Sequence, residues 1–155
     1  MIIDQRVTIE APIERCWAVI ADIPTVATCV PGVESVSAAG DDRYTGVLVA
    51  KVGPVTVRLE GQVTVVERDA VGHRAQFAVE ATDRRIRGAV SATTVLQLEA
   101  HGDTTDLAIH TDVSILGKLG QFGSAVIKRK SDQIVAQFGA NLSARLAQDR
   151  LAADG

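Results

Sequence analysis

The sequence predicts an α+β fold in which a curved antiparallel β-sheet wraps around a long C-terminal α-helix, with two short helices near the N-terminus. Three observations predict it. A β signal dominates from just after Pro31-Gly32 to residue 115. A proline-free stretch from Gly117 to about Arg150 then carries its apolar residues at helical spacing. The 155 residues, 46% apolar and 23% charged, are enough for one domain with its own core, so residues 1–155 are read as a single domain.

Residues 2–10 alternate loosely and read as a strand ended by Ala11-Pro12, a proline placed for a first helical turn. Residues 13–21 set Ile13, Cys16, Trp17 and Ile20 on one helical face. A second helical piece runs from Pro24 to Cys29, and Pro31-Gly32 stops it. Residues 43–52 form a strand, turned by Gly53-Pro54. In residues 55–67, Val57, Leu59, Gly61, Val63 and Val65 share one face, and Arg58, Glu60, Gln62 and Thr64 share the other. Gly61 marks a bend or bulge there. Residues 73–82 align Ala75, Phe77, Val79 and Ala81. Residues 87–99 form the next strand, with His101-Gly102-Asp103 as its turn. In residues 104–115, Leu107, Ile109, Val113 and Ile115 point inward, while Asp106, His110, Asp112 and Ser114 point out. Such spacing indicates an antiparallel meander. In the last segment Leu119, Phe122, Val126, Ile127, Ile134, Phe138, Leu142 and Leu146 form one broad apolar face on a helix roughly 50 Å long. Its obvious partner is the concave side of the sheet. Strand, two short helices, a run of strands and a long helix make a helix-grip arrangement, which encloses a cavity between sheet and helix.

Composition narrows the function. With 16 basic and 19 acidic residues and a net charge of −3, no broad basic field attracts nucleic acid. Two cysteines, Cys16 and Cys29, make neither a zinc site nor a disulfide framework; they read as small buried hydrophobes in a reduced, cytoplasmic protein. The start of the chain does not read as a signal peptide, and no apolar run reaches membrane-span length. Only five aromatics occur, so Val, Ile, Leu and Ala must fill the core. Small side chains on a large sheet leave room for an internal cavity, or they pack a tightly curved sheet solidly. An enzyme of this build needs an acid/base pair facing the cavity. The inward faces are almost wholly apolar, His73 and His101 fall at turns, and His110 faces out, so no catalytic or metal-binding residue is assigned and the chain reads as a non-enzyme. Gly117, Gly120 and Gly123 do not follow a dinucleotide-binding pattern. Lys128-Arg129-Lys130 and Arg84, Arg85 and Arg87 each read as a solvated surface or as a contact for anionic lipid or an acidic partner.

Four stretches carry a resemblance: Ala11-Pro12 with Cys16-Trp17; Cys29 to Val36; Val52-Gly53-Pro54-Val55 with Gly61; and Asp112-Val113-Ser114 followed by Gly117 to Gly123. In that order, over nearly the whole chain, they resemble the G-subunit family associated with carbon monoxide dehydrogenase, within the birch-pollen-allergen-like and START-like proteins. The resemblance implies a protein serving a molybdenum-containing carbon monoxide dehydrogenase or related hydroxylase. It also implies a lipid-soluble quinone (menaquinone or ubiquinone) as carried ligand, with no covalent cofactor, and recruitment of the enzyme to the inner face of the cytoplasmic membrane. Asp83-Arg84-Arg85-Ile86-Arg87 departs from the small residues the family has there.

The expected ligand pocket is lined by Trp17, Phe77, Val79, Leu96, Ile109, Phe122, Val126 and Phe138. Rings suit a flat quinone head, and branched aliphatics suit its isoprenoid tail. Pro31 and Gly32, as a turn or as a cavity rim, and Gly117, Gly120 and Gly123, where few side chains pin the helix start, are the expected gate. Two other readings remain: a cyclase- or hydrolase-like enzyme of the same broad fold group, and a docking protein with no ligand.

Overall fold

The computed structural model describes residues 1–154. One antiparallel sheet has the order β1-β7-β6-β5-β4-β3-β2. Its strands are β1 Ile2–Ile9, β2 Val33–Gly40, β3 Arg43–Val52, β4 Val55–Asp69, β5 Arg74–Asp83, β6 Gly88–His101 and β7 Thr104–Gly117. Helices α1 Ile13–Ile20 and α2 Ile23–Ala27 connect β1 to β2, and α3 Ser124–Asp154 follows β7. The helix-grip architecture read from the sequence is the one the chain adopts.

Local chemistry explains the elements. Pro12 stands at the N-cap of α1 in extended conformation, and α1 buries Cys16, Trp17, Val19 and Ile20 as one stripe. Pro24 occupies the first turn of α2, where a missing N–H costs nothing. The hairpins close at Gly53 and Gly102, both at positive φ, where glycine carries no Cβ to clash. Cross-strand register then places Ile109, Leu96 and Ala75 in one inward row and Leu107 and Leu98 in the next.

Three details differ from the sequence reading. An additional strand, β2, is present. It is an exposed edge strand with register shifts at both ends, so its sequence lacks the alternation that marks the others. The long helix begins at Ser124 rather than at Gly117: β7 runs through Gly117, Lys118–Phe122 is a 3-10 turn, and Gly117 and Gly123 hold φ of +70° and +85°, outside any right-handed helix. The β4 irregularity is a register shift between Val65 and Glu67, leaving Val66 exposed, and not at Gly61. Gly61 serves close approach instead, since a Cβ there would lie 2.2 Å from the Glu80 carbonyl oxygen.

The core sits at one end of the grip. Ile9, Cys16, Trp17, Ile20, Val65, Phe77, Leu98, Leu107, Phe138, Leu142 and Leu146 are buried in one cluster. It joins α1, the second half of α3 and the adjoining ends of β4–β7. Arg15 donates to the Leu146 carbonyl, tying α1 to α3. Buried Thr105 donates to Ala11 O at 2.7 Å, so its hydroxyl is satisfied. Gly139 lets α3 approach β1 closely, because a Cβ there would stand 2.3 Å from Val7 Cγ2.

Candidate functional site: the inner face between sheet and helix

Away from that core the inner face changes character. Register aligns Gly46, Gly61, Ala81 and Val90 across β3–β6, and beside them Val63, Val79 and Ala92 across β4–β6. These two rows have little side-chain volume. The backbone of α3 runs along β1 and comes near β3, so it bridges the two sides of the sheet over the middle strands. Small residues under a bridging helix leave a gap. Accordingly Leu48, Leu59, Val63, Val79, Val90, Ala92 and Ile115 point inward yet stay half-buried, as do Phe122, Val126, Ile127 and Ile134 on the facing helix and its lead-in. Apolar side chains that face inward but keep contact with solvent are the signature of a groove rather than a finished core.

Polar groups inside the groove are few. Thr94 and Thr111 stand opposite each other with their hydroxyls 3.2 Å apart. Gln5 on β1 donates to Ser131 Oγ and Asp132 Oδ1 of α3, both at 2.9 Å. Hydrogen bonds from Lys128 and Gln5 hold the Asp132 carboxyl below the usual range. Asp83, at the end of β5, is 2% exposed. Burial pushes its pKa up, but N–H donors from Arg58 (2.8 Å), Arg85 (2.9 Å) and Ile86 (3.1 Å) outweigh this and leave it lowered. That carboxylate therefore organises the β5–β6 loop. Cys16 and Cys29 are both free and buried, and burial raises the Cys16 thiol. His73 accepts or donates a 2.6 Å bond to Glu14 and meets Trp17 edge-on at 5.9 Å, at the core end of the fold. His110 is exposed and paired with Asp4 on the outer face. Among the described residues no group of three His, Cys, Asp or Glu could hold a metal ion.

The eight residues expected to line the pocket separate into two sets. Trp17, Phe77, Leu96, Ile109 and Phe138 pack together in the buried cluster. Val79, Phe122 and Val126 lie along the half-buried groove. Sequence reasoning did not single out Leu48, Leu59, Val63 and Ala92, which share that groove. The signal was present in the alternation of β3 and β4, but the choice of which inward residues stay uncovered belongs to the path of α3. A hollow of about 290 Å³ opens at the seam between α3 and β3, lined by Pro31, Gly32, Val49, Ala50, Lys51, Lys130, Gln133, Ile134 and Gln137. Ala50 is its inward-facing strand residue, two positions from Leu48. The expected gate residues Pro31 and Gly32 are thus on its rim. Gly117, Gly120 and Gly123 lie elsewhere, around the 3-10 turn, which is fastened by buried Leu119 against Gly88 and by Lys118 N to Arg87 O. A second hollow, about 480 Å³, lies on the polar outer face over β1, β7, β6 and β5; of the expected ligand residues only Ile109 borders it.

Known proteins share this geometry. The chain superposes on a conserved protein from Geobacillus kaustophilus with a TM-score of 0.86, at 17% identity over 96% of each chain. A START superfamily protein from Mycobacterium smegmatis matches with a TM-score of 0.68 at 11% identity, covering 95% of this chain and 97% of that one. Norcoclaurine synthase from Thalictrum flavum, in complex with dopamine and hydroxybenzaldehyde, matches with a TM-score of 0.66 at 14% identity, covering 96% and 87%. Among curated proteins none matches the sequence. Identities this low establish the shared fold alone. The sequence itself goes further: residues 6–147 match the model of the family described as the carbon monoxide dehydrogenase G subunit, CoxG. With that match over most of the chain, on a START-like fold, this protein belongs to the CoxG family.

Proposed function

We propose that this protein is a carrier that binds a membrane quinone, menaquinone or ubiquinone, in the groove between the sheet and α3. It moves the quinone between the inner face of the cytoplasmic membrane and a molybdenum-hydroxylase-type carbon monoxide dehydrogenase, and it helps bring that enzyme to the membrane. One observation carries the reading: the middle of the inner face is built from Gly, Ala and Val beneath a bridging helix, so apolar surface is left uncovered inside the molecule. An isoprenoid chain covers such surface at a gain of roughly 25 cal/mol per Å². The Thr94–Thr111 hydroxyl pair supplies a donor for a carbonyl oxygen. Family membership supports the choice of partner enzyme. No helix of the described residues is long and apolar enough to cross a membrane. The carrier meets the bilayer at its surface.

A carrier rather than a catalyst fits the chemistry of the groove. The inward ionisable groups are Asp83, held by three backbone amides, Asp132, held by Lys128 and Gln5, and Tyr44, beside the β2–β3 turn, so no free acid/base pair converges on the half-buried rows. The test uses the single tryptophan. Trp17 is packed in the cluster that closes one end of the groove. Titrating menaquinone or ubiquinone should quench its fluorescence saturably, and native mass spectrometry of the purified protein should find a co-purifying lipid. The absence of both a co-purifying lipid and saturable quinone binding would overturn the carrier reading. Turnover of a polyketide-like substrate without quinone binding would favour the cyclase instead.

A further inference from the structure

The meander puts alternate turns at opposite ends of the sheet, and the charges are sorted between those ends. The end away from α1 is basic. The β5–β6 loop carries Arg84, Arg85 and Arg87, and Arg85 donates to Thr56 O, which brings this loop beside the β3–β4 turn. Lys51 closes β3 at that turn and shares the seam hollow with Lys130. Lys118 hydrogen-bonds through its backbone to Arg87 and leads into α3, whose first turns present Lys128, Arg129 and Lys130. Half of the chain's 16 basic residues therefore meet around one rim. Acidic groups there are committed: Asp83 to loop amides and Asp132 to Lys128 and Gln5. Among the described residues, Lys51, Arg84, Arg87, Lys118, Arg129 and Lys130 form no ion pair. At the opposite end the turns carry Asp41, Asp42, Asp69 and Asp103, near Glu14 and Asp22, and the basic Arg68 there is paired with Asp42. A protein of net charge −3 thus gathers unpaired basic charge at one end of the sheet, whereas the other end mixes its acidic groups with Arg43, Arg68 and Arg74.

Apolar groups stand among the rim charges. Leu116 is 64% exposed at the end of β7, and Ile86 and Phe122 are half-buried on the loop and the 3-10 turn. Unpaired Lys and Arg with interspersed Leu, Ile and Phe fit a bilayer interface of anionic headgroups. Nucleic acid is disfavoured, because the rim offers no exposed aromatic ring for stacking and the molecule is acidic overall.

We propose that this rim (the β5–β6 loop, the β3–β4 turn, the 3-10 turn and the first turns of α3) docks directly on an anionic lipid surface, with the seam hollow facing the bilayer and the acidic end facing away. The proposal rests on the carrier reading for its purpose. Its geometry is independent of the ligand. Docked this way, an apolar molecule passes between acyl chains and groove beside Lys51 and Lys130 without crossing bulk water.

Vesicle sedimentation with the ligand-free full chain tests it. Phosphatidylcholine vesicles containing about one-third phosphatidylglycerol should bind the protein, pure phosphatidylcholine vesicles should not, and binding should fall as salt rises from about 0.1 M to about 1 M. The triple variant Lys118→Glu, Arg129→Glu, Lys130→Glu should lower partitioning at least about 100-fold, since each lost basic residue is worth roughly fivefold. The pair Lys51→Glu, Arg84→Glu should act in the same direction from the other side of the rim. Arg43→Glu, the same charge change at the acidic end, should leave partitioning unchanged. Circular dichroism verifies that these surface variants fold. Equal loss in Arg43→Glu, equal binding to neutral vesicles, or unchanged binding by both rim variants would overturn the proposal, as would binding only to an acidic protein or nucleic acid. Trp17 titration in the same variants separates the two readings. Lost vesicle binding with normal quenching by quinone concerns the rim, whereas vesicle binding without any quinone binding removes the carrier reading and leaves the rim in place.

Discussion

Asp83 shows how one buried carboxylate can hold a loop without chemistry. Its three N–H donors outweigh the cost of burial and keep it ionised. A group whose pKa is lowered by folding contributes stability above its unfolded value, near 3.9, and loses that contribution as pH falls through the lower native value. Asp83→Asn places an amide N–H₂ against backbone donors and should cost about 1–3 kcal/mol at pH 7. Urea unfolding at pH 7 and at pH 3 should show the gap between native and variant protein narrowing in acid; a pH-independent gap would remove the ionic role. Gly139 makes a second residue-scale case. A methyl group there collides with Val7, so Gly139→Ala should destabilise by about 1–3 kcal/mol despite the better helix propensity of alanine.

At the scale of elements, α3 does two jobs along one sequence. Its later turns bury Phe138, Leu142 and Leu146 against α1 and the sheet, and its first turns cover the groove with half-buried Val126, Ile127 and Ile134. Leu142→Ala should therefore cost about 2–5 kcal/mol, and Val126→Ala less than about 1 kcal/mol, in equilibrium unfolding. Native-state hydrogen exchange should find the amides of the first three turns opening well before those around Leu142. Uniform protection along α3 would mean that the groove is not a soft element of the fold.

For the whole molecule, the proposed carrier role makes a quinone in the solvent-open groove part of the stability. A quinone at about a hundred times its dissociation constant adds roughly 2.7 kcal/mol. For a domain of this size that raises the melting temperature by roughly 5–10 °C. Val79→Asp, at the middle of the small-residue rows, should remove that rise while leaving circular dichroism native, because its site already touches solvent. Phe122→Asp tests the helix side of the groove in the same assay; a folded variant that keeps the full thermal shift would exclude that face from the site.

Local chemistry was enough to read much of this protein from the chain. Period-2 alternation marked β1 and β3–β7, Pro12 and Pro24 placed the two short helices, and the motifs running from Ala11-Pro12 to Gly123 pointed to the family that residues 6–147 match. Each of those signals is carried by neighbours in sequence. The edge strand β2 was illegible because its register shifts erase the alternation, and the start of α3 was misplaced because apolar spacing continues through two glycines whose positive φ only coordinates reveal. The site divided along the same line. The sequence alone named inward apolar residues, yet Trp17, Phe77, Leu96, Ile109 and Phe138 proved to pack in the core cluster while Val79 lies in the groove. All six face the same way along their elements. What separates them is where a helix about 46 Å long bridges from β1 to β3, and that path is set by long-range packing: Gly139 on Val7, Arg15 on Leu146, Asn141 on Cys29. The gathering of Lys51, Arg84, Lys118 and Lys130 on one rim was likewise decided by tertiary structure, because residues scattered along the chain become neighbours only when the alternate turns of a meander meet at one end.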